Sequence, residues 1–249
     1  MKKSTFLSLT SVGLSFLLVL LPVAGLSAQS ETSSETTTST NGGRLPTIDE
    51  LYLDSETSVA MLRAQLRTNN LSHQTLALSA VEEQLIHGAI DPGDEQLFDA
   101  LAFVMNQGVS NLSYQGTNLP RNYHPNVRNH AAKILGLLGT PEARTQLART
   151  VDIDPDPSVR AQALYSLARI GQDPDGSVTR SIGKMMLREH VGRPDPGVMY
   201  AALVAIENIH RNADNQIHGA ATEMLLQVAV GDPYTRLLRA KAMQVLAKM

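Results

Sequence analysis

The sequence contains no cysteine and no tryptophan, and aromatic residues make up only 4% of it. Without cysteine the chain forms no disulfide and carries no cysteine-linked lipid anchor. A core with so few aromatic rings must be built from Leu, Ala, Val, Ile and Met, in a chain that is 43% hydrophobic. Stability therefore has to come from the packing of helices alone.

Catalytic and metal-binding motifs are also missing. No Gly-x-Ser-x-Gly elbow, Walker-type glycine loop or dinucleotide fingerprint is present, and none of the seven histidines pairs with Glu at the helical zinc-protease spacing. A metal site formed by His124 and His130 is the alternative, but scattered surface histidines explain them better. Glu82 and Glu83 are adjacent on a predicted helix and point apart, so they do not resemble an acid/base pair. We expect no catalytic residue, no metal, no cofactor and, without basic aromatic platforms, no nucleic acid.

The N-terminus has the pattern of an export signal. Lys2 and Lys3 precede an apolar run, and small residues follow it up to Ala28. Residues 1–28 are therefore predicted to be a signal peptide, with an uncleaved inner-membrane anchor as the alternative. An exported protein without disulfides fits the bacterial envelope, so we expect a periplasmic or secreted location and membrane contact only if the signal is uncleaved.

Domain organisation follows from composition. Residues 29–46 are rich in Ser and Thr and lack the apolar residues needed to fold, which predicts a disordered tether. From residue 47 to 249 apolar residues recur at helical spacing, and no stretch alternates as a strand would. The class is predicted to be all-α.

Helix starts are marked by Asp-Pro pairs, in which a capping oxygen precedes a ring already fixed at helical φ. Such pairs begin at Asp91, Asp156, Asp173, Asp195 and Asp232, while Thr140-Pro141 and His124-Pro125 are variants of the same device. The predicted helices are 55–69, 71–88, 91–108, 125–138, 141–151, 156–170, 174–191, 196–210, 213–230 and 233–248.

One helix pattern is repeated four times. A branched residue, an alanine, a branched residue and a large residue recur at i, i+4, i+8 and i+11, starting at Val127, Val159, Val198 and Leu238. The starts are 32, 39 and 40 residues apart, which is room for a helix pair in each repeat. A helix pair cannot bury its apolar face alone, so these repeats predict a stacked array.

In these residues the chain resembles the HEAT-like repeat family, whose first helices often open with Asp-Pro-x-Val-Arg. The matching residues are Asp156, Pro157, Val159, Arg160, Pro125, Val127, Arg128, Asp195, Pro196 and Val198. The resemblance implies a short right-handed α-α superhelix of about five helix pairs. Its repeats are weak over 47–109 and clear over 124–249, with a loop at 110–123 between them.

The resemblance also implies structural and functional expectations. Arg128 and Arg160 are expected to pair with an Asp or a carbonyl of the adjacent repeat, whereas Met199 interrupts this arginine series in the third copy. The family consists mostly of protein-binding scaffolds, so we expect a non-enzymatic scaffold for another envelope or secreted protein. The alternative is an enzyme or enzyme accessory that resembles the HEAT-like lyases and binds a small ligand in its groove.

Charge is divided unevenly along the chain. Residues 29–120 hold 3 basic and 12 acidic residues, whereas residues 121–249 hold 16 and 12. Arg180, Lys184 and Arg188 share one helix face, which is either a binding stripe for an acidic partner or an ordinary solvated face. Opposed halves and an apolar stripe at the last helix (Leu238, Ala242, Leu246 and Met249) predict weak, salt-sensitive self-association.

The stretch 108–126 is the longest without helical periodicity. It contains Tyr114, Arg121 and Tyr123, which suit a recognition loop, although a spacer between two groups of repeats explains it equally well.

Overall fold

The computed structural model describes residues 48–114, 120–212 and 217–249, with side-chain detail from residue 56 onward. Within these residues there are ten α-helices and no strand, only an isolated bridge between Gln107 and Asn111. The helices are α1 (Ile48–Leu66), α2 (Leu71–Ile86), α3 (Glu95–Asn106), α4 (Pro125–Leu138), α5 (Pro141–Ile153), α6 (Pro157–Ile170), α7 (Ser177–Val191), α8 (Pro196–Asn212), α9 (Gly219–Val230) and α10 (Arg236–Leu246). The predicted signal peptide and tether lie outside the described residues.

The helices form two layers. Each even-numbered helix packs against the next even one, from α2 through α4, α6 and α8 to α10. The odd-numbered helices α1, α3, α5, α7 and α9 pack against one another in the same way. Since the chain alternates between the layers, its architecture is the all-α, two-layer α-α superhelix that the repeats predict.

Small residues set the distance between neighbouring even helices. Ala163 is fully buried, and a Cβ added to Gly136 would lie 2.6 Å from the Cβ of Ser166 on the next even helix. The Ser166 hydroxyl donates a 2.8 Å hydrogen bond to the Ala132 carbonyl. Small residues therefore let the backbones of the even-numbered helices approach closely, as the repeated alanine predicts.

The helix caps are confirmed in the clearest copies. Pro125, Pro157 and Pro196 are the first residues of α4, α6 and α8. Asp156 accepts a 2.9 Å hydrogen bond from the Ser158 N–H. Asp195 accepts bonds of 2.8 and 3.0 Å from the N–H groups of residues 197 and 198. The branched residues Val127, Val159 and Val198 that follow are all buried.

Two predicted starts are wrong because a later residue provides the cap. Helix α3 begins after Asp94, whose carboxylate accepts the Leu97 N–H, while Asp91 only closes a turn onto the Gly93 N–H. Helix α10 begins after Thr235, not at Pro233. In both cases an Asp-Pro pair initiates a turn and a second capping residue then starts the helix.

Three other starts also differ. Helix α9 begins at Gly219 and not at residue 213, because the ring nitrogen of His218 accepts the Ala220 N–H and caps the helix there. Helix α7 begins at Ser177 and not at Pro174, because Gly176 adopts φ +69° and turns the chain first. Asp173 still acts on this helix, since its carboxylate accepts from the N–H groups of Val178 and Thr179. Helix α1 begins at Ile48, seven residues before its predicted start. The sequence Thr47 to Glu50 has capping-box spacing, a start signal that the Asp-Pro search misses.

Candidate protein interface on the odd-numbered helices

The loop between α3 and α4 is anchored by buried amides. Gln107 is buried at the end of α3, where its Oε1 accepts a 3.1 Å hydrogen bond from the equally buried Gln74. Gly108 then takes φ +69°, and a Cβ there would lie 2.7 Å from the carbonyl oxygen of Asn122. The loop therefore starts at a fixed position against α2 and α3.

The buried side chain of Arg128 contacts both ends of this loop, at Gln107 and Tyr123. Its guanidinium donates to both carboxylate oxygens of Asp154, at 2.8 and 3.1 Å, and both side chains are 1% exposed. A third bond of 3.3 Å reaches the Gln107 carbonyl, and the ring of Tyr123 lies 4.8 Å above the guanidinium carbon. The Gln107 carbonyl belongs to the preceding helix pair, as predicted, whereas Asp154 follows α5 and so belongs to the same pair as Arg128, not to the adjacent repeat.

Arg160 occupies the same motif position in the next repeat. Its partner is Glu189 on α7, at 2.8 Å, so the predicted Asp or carbonyl of the adjacent repeat is wrong here and the pair forms within one repeat. The buried Nε of Arg160 has no hydrogen-bond partner within the described residues. Met199, the third residue of the series, is fully buried. The series therefore runs from a complete ion pair through a partial one to an apolar contact.

The predicted loop residues have different surroundings. Tyr114 is 56% exposed and Arg121 is exposed, whereas Tyr123 is partly buried over Arg128. The Arg121 N–H donates to the Ser113 carbonyl, and the Asn122 side chain donates to the Asn111 carbonyl, so the two arms of the loop are joined. Residues 115–119 between them lie outside the described part.

Beside the loop is a polar cavity. Its volume is about 320 Å³, and it is lined by Asn69, Leu71, Gln74, Gln107, Ser113, Arg121, Asn122 and His124. Most of these side chains bear an amide or a hydroxyl. These groups could hold a small polar ligand beside the loop.

The predicted basic stripe lies on the outer face of α7. Arg180 and Lys184 are exposed and, in the part of the chain that the structure describes, form no ion pair. Arg188 instead donates to the Asp152 carbonyl at 3.0 Å and to its carboxylate at 3.2 Å. The stripe thus has two free cations and a third that joins α7 to α5.

Exposed aliphatic residues continue this surface. On α5, α7 and α9 the last residue of each helix is Ile153, Val191 and Val230, with exposed fractions of 44%, 79% and 80%. Leu187 and Leu226 stand one turn earlier and are about half exposed. We call these five residues the aliphatic row. Periodicity within a single helix does not mark it, because it consists of equivalent positions in three repeats.

Ion pairs in the even layer are more complete. Glu82 on α2 is bonded to Lys133 and, at 2.7 Å, to His130 on α4; the hydrogen bond from Lys133, more than that from His130, lowers the pKa of Glu82 despite its partial burial. His130 therefore has a carboxylate partner, and no cluster of three or more metal-ligating side chains occurs among the described residues. Cross-helix pairing in this layer contrasts with the unpaired cations of α7.

Comparison with known proteins agrees with this geometry. Residues 118–180, from the end of the loop to the first turn of α7, match the family of HEAT repeats. This chain contains HEAT-like repeats over residues 118–180. No curated protein matches its sequence.

Among solved structures, this chain is similar to the complex of CpcE and CpcF of phycocyanin lyase from Nostoc sp. PCC7120. The TM-score is 0.47 at 16% identity, over 77% of this chain and 99% of the other. Within residues 48–114, 120–212 and 217–249, every helix is too short or too polar to span a bilayer.

Proposed function

We propose that this HEAT-like protein is a non-enzymatic scaffold of the bacterial envelope, exported by residues 1–28, and that it binds a partner protein on the outer face of α5, α7 and α9. The observation that supports this most is the combination of the aliphatic row with two unpaired cations on one face. Exposed apolar residues grouped in this way are typical of protein interaction sites. Tyr114 and Arg121 extend the same surface at the loop, because Arg149 on α5 donates a 3.3 Å hydrogen bond to Ser110.

The charge of the surface suggests the chemistry of the partner. Arg180 and Lys184 point their unpaired charges to solvent, and Arg149 is exposed one turn before Ile153. A partner with acidic side chains gains attraction here, and the match raises the rate and specificity of association more than the affinity.

Affinity purification of the full chain from its native cells tests the proposal. The variant Lys184→Glu is compared with Arg169→Glu, an equal change of charge on an exposed cation of α6 in the other layer. We expect Lys184→Glu to recover several-fold less of a specific co-purifying protein, while Arg169→Glu recovers it like the parent. Equal recovery with both variants would contradict binding on the odd-numbered helices.

The alternative function, an enzyme or accessory with a small ligand, is favoured only by the polar cavity beside the loop. It predicts a compound that stays bound through purification and is released on unfolding. Mass spectrometry of the denatured protein detects such a compound, and Gln107→Leu, which removes one of the four amides that line the cavity, should weaken its retention.

Export has its own test. N-terminal sequencing of the protein recovered from the periplasm or medium should begin near residue 29. A full-length protein in the membrane fraction would favour the uncleaved anchor, and one in the cytoplasm would contradict export.

A further inference from the structure

The aliphatic row lies on three helices that pack one after another, α5 on α7 and α7 on α9. The bond from Arg188 to the Asp152 carbonyl, 3.0 Å long, holds the end of α7 against the end of α5, where Ile153 is the next residue. Helix α9 packs against α7 on its other side. Packed helices are separated by about 8–10 Å, so the row offers an apolar contact at roughly that interval.

We infer that the occupant of this row is an acidic amphipathic α-helix that crosses α5, α7 and α9 with apolar residues at every seventh position. This inference rests on the proposed function and names its partner. Seven residues of an α-helix rise about 10.5 Å, which matches the spacing of packed helices, and they return close to the same face.

Other peptide conformations match the row less well. In a β-strand, three residues span about 10 Å, but side chains three apart point to opposite faces. A polyproline II segment has both the rise and the period, yet it is bound by aromatic-lined grooves, and the side chains of this row are all aliphatic. An amphipathic helix is therefore the conformation that fits.

Charges beside the row give the partner helix a direction. Lys184 is three residues before Leu187, and Arg149 is four before Ile153, so cations flank the row over α5 and α7. Glu223, three residues before Leu226, is exposed at the equivalent place on α9. Acidic residues of the partner should therefore face α5 and α7, and neutral or basic residues should face α9.

Labelled synthetic peptides of about three heptads test this inference by fluorescence anisotropy with the full chain. The first peptide has Leu at every seventh position. Beside the Leu, two consecutive heptads carry Glu, to face α5 and α7, and the third heptad carries Lys at the same position, to face α9. The second has the same composition and helix propensity with the Leu register scrambled, and the third exchanges Glu for Lys. We expect the first peptide to bind at least about tenfold more tightly than either control.

Variants of the protein complete the test. Val191→Thr keeps the shape of the side chain, and Leu187→Gln keeps helix propensity; together they should weaken the first peptide about tenfold. Tyr165→Ser, at an exposed residue of α6, should leave its binding unchanged.

The outcomes separate the two levels of the proposal. Equal binding of all three peptides, or none at all, would overturn the helix inference, while charge-dependent recovery of a partner with Lys184→Glu would leave the scaffold standing. Self-association that is lost in Val191→Thr with Leu187→Gln would assign the row to a second copy and would also overturn it. If the parent chain recovers no specific partner and also binds none of the peptides, the proposed function itself is rejected.

Discussion

The buried pair between Arg128 and Asp154 should dominate the stability of the central repeats. Replacing Arg128 with Met leaves a carboxylate that is 1% exposed and retains only the Asp156 N–H, at 2.9 Å, as a hydrogen-bond donor. Breaking a buried ion pair by removing one partner costs about 3–5 kcal/mol. For a domain of this size that lowers the Tm by roughly 10 °C.

Arg160 provides a matched control at the same motif position. Its side chain is 18% exposed, it makes one 2.8 Å contact with Glu189, and its Nε is unpaired. Because this pair is less buried and less complete, Arg160→Met should cost only about 1–2 kcal/mol. Met199 shows that the third repeat accommodates an apolar side chain at this position.

The double variant Arg128→Met with Asp154→Asn separates the orphaned charge from lost packing. The amide is neutral, and its oxygen can still accept the Asp156 N–H, so the double variant should be more stable than Arg128→Met by about 1–3 kcal/mol. The assay is urea and thermal unfolding of residues 46–249 followed by far-UV circular dichroism. The reasoning is refuted if Arg128→Met is no worse than Arg160→Met, or if the double variant unfolds no later than Arg128→Met.

Three further predictions follow from packing, titration and charge. Gly136→Ala should cost about 1–3 kcal/mol, because its Cβ would meet Ser166, and a melting curve equal to the parent's would contradict this contact. Lys241, and then Lys248, hold the pKa of Glu207 below 4.5, so this stabilisation is complete above that pH and disappears as the pH falls through the lowered pKa. The gap in Tm between the parent and Glu207→Gln should therefore close under acid, and a gap that persists there would refute the assignment. Residues 46–249 should self-associate weakly at low salt and dissociate at high salt in sedimentation experiments, where a monomer throughout would contradict the prediction.

The predicted self-association depends on the uneven charge of the chain more than on the apolar stripe at its last helix. Leu238 and Ala242 are buried against the neighbouring helices, Leu246 is partly buried, and only Met249 of the stripe, at 43%, is exposed. The exposed apolar side chains of α10 are Leu237, at 67%, and Met243, at 54%. A helix can be assigned an apolar face from its sequence, but which neighbour covers that face is a tertiary property.

The repeats made much of the fold predictable from sequence. Asp156 and Asp195 cap their helices as expected, because the carboxylate, the proline ring and the buried valine act within one turn. Predictions were wrong where two start signals competed, as at Asp91 and Asp94, since local chemistry allows either residue to begin the helix. Apolar periodicity over several turns predicts that each helix exists. The first residue of a helix is harder to predict, because neighbouring capping residues compete for that position.

The candidate interface was only partly predictable. The spacing of Arg180 and Lys184 shows that they share a face, but the partner of Arg188 is 36 residues away on another helix. Tyr123 was predicted for recognition, and its ring lies over Arg128, a contact between the loop and a buried ion pair. The aliphatic row becomes visible only when the ends of three helices are known, because its members are equivalent across repeats and not periodic within one helix.

The most direct test of the odd-numbered face as a protein interface is photo-cross-linking in the native cells. A photoreactive phenylalanine is introduced at Val191 or Val230 in the row, or at the exposed Tyr165 on α6 as the control. The account predicts a discrete adduct of one partner from both row positions and none from Tyr165. An adduct from Tyr165 alone, or no adduct from either row position, would contradict it.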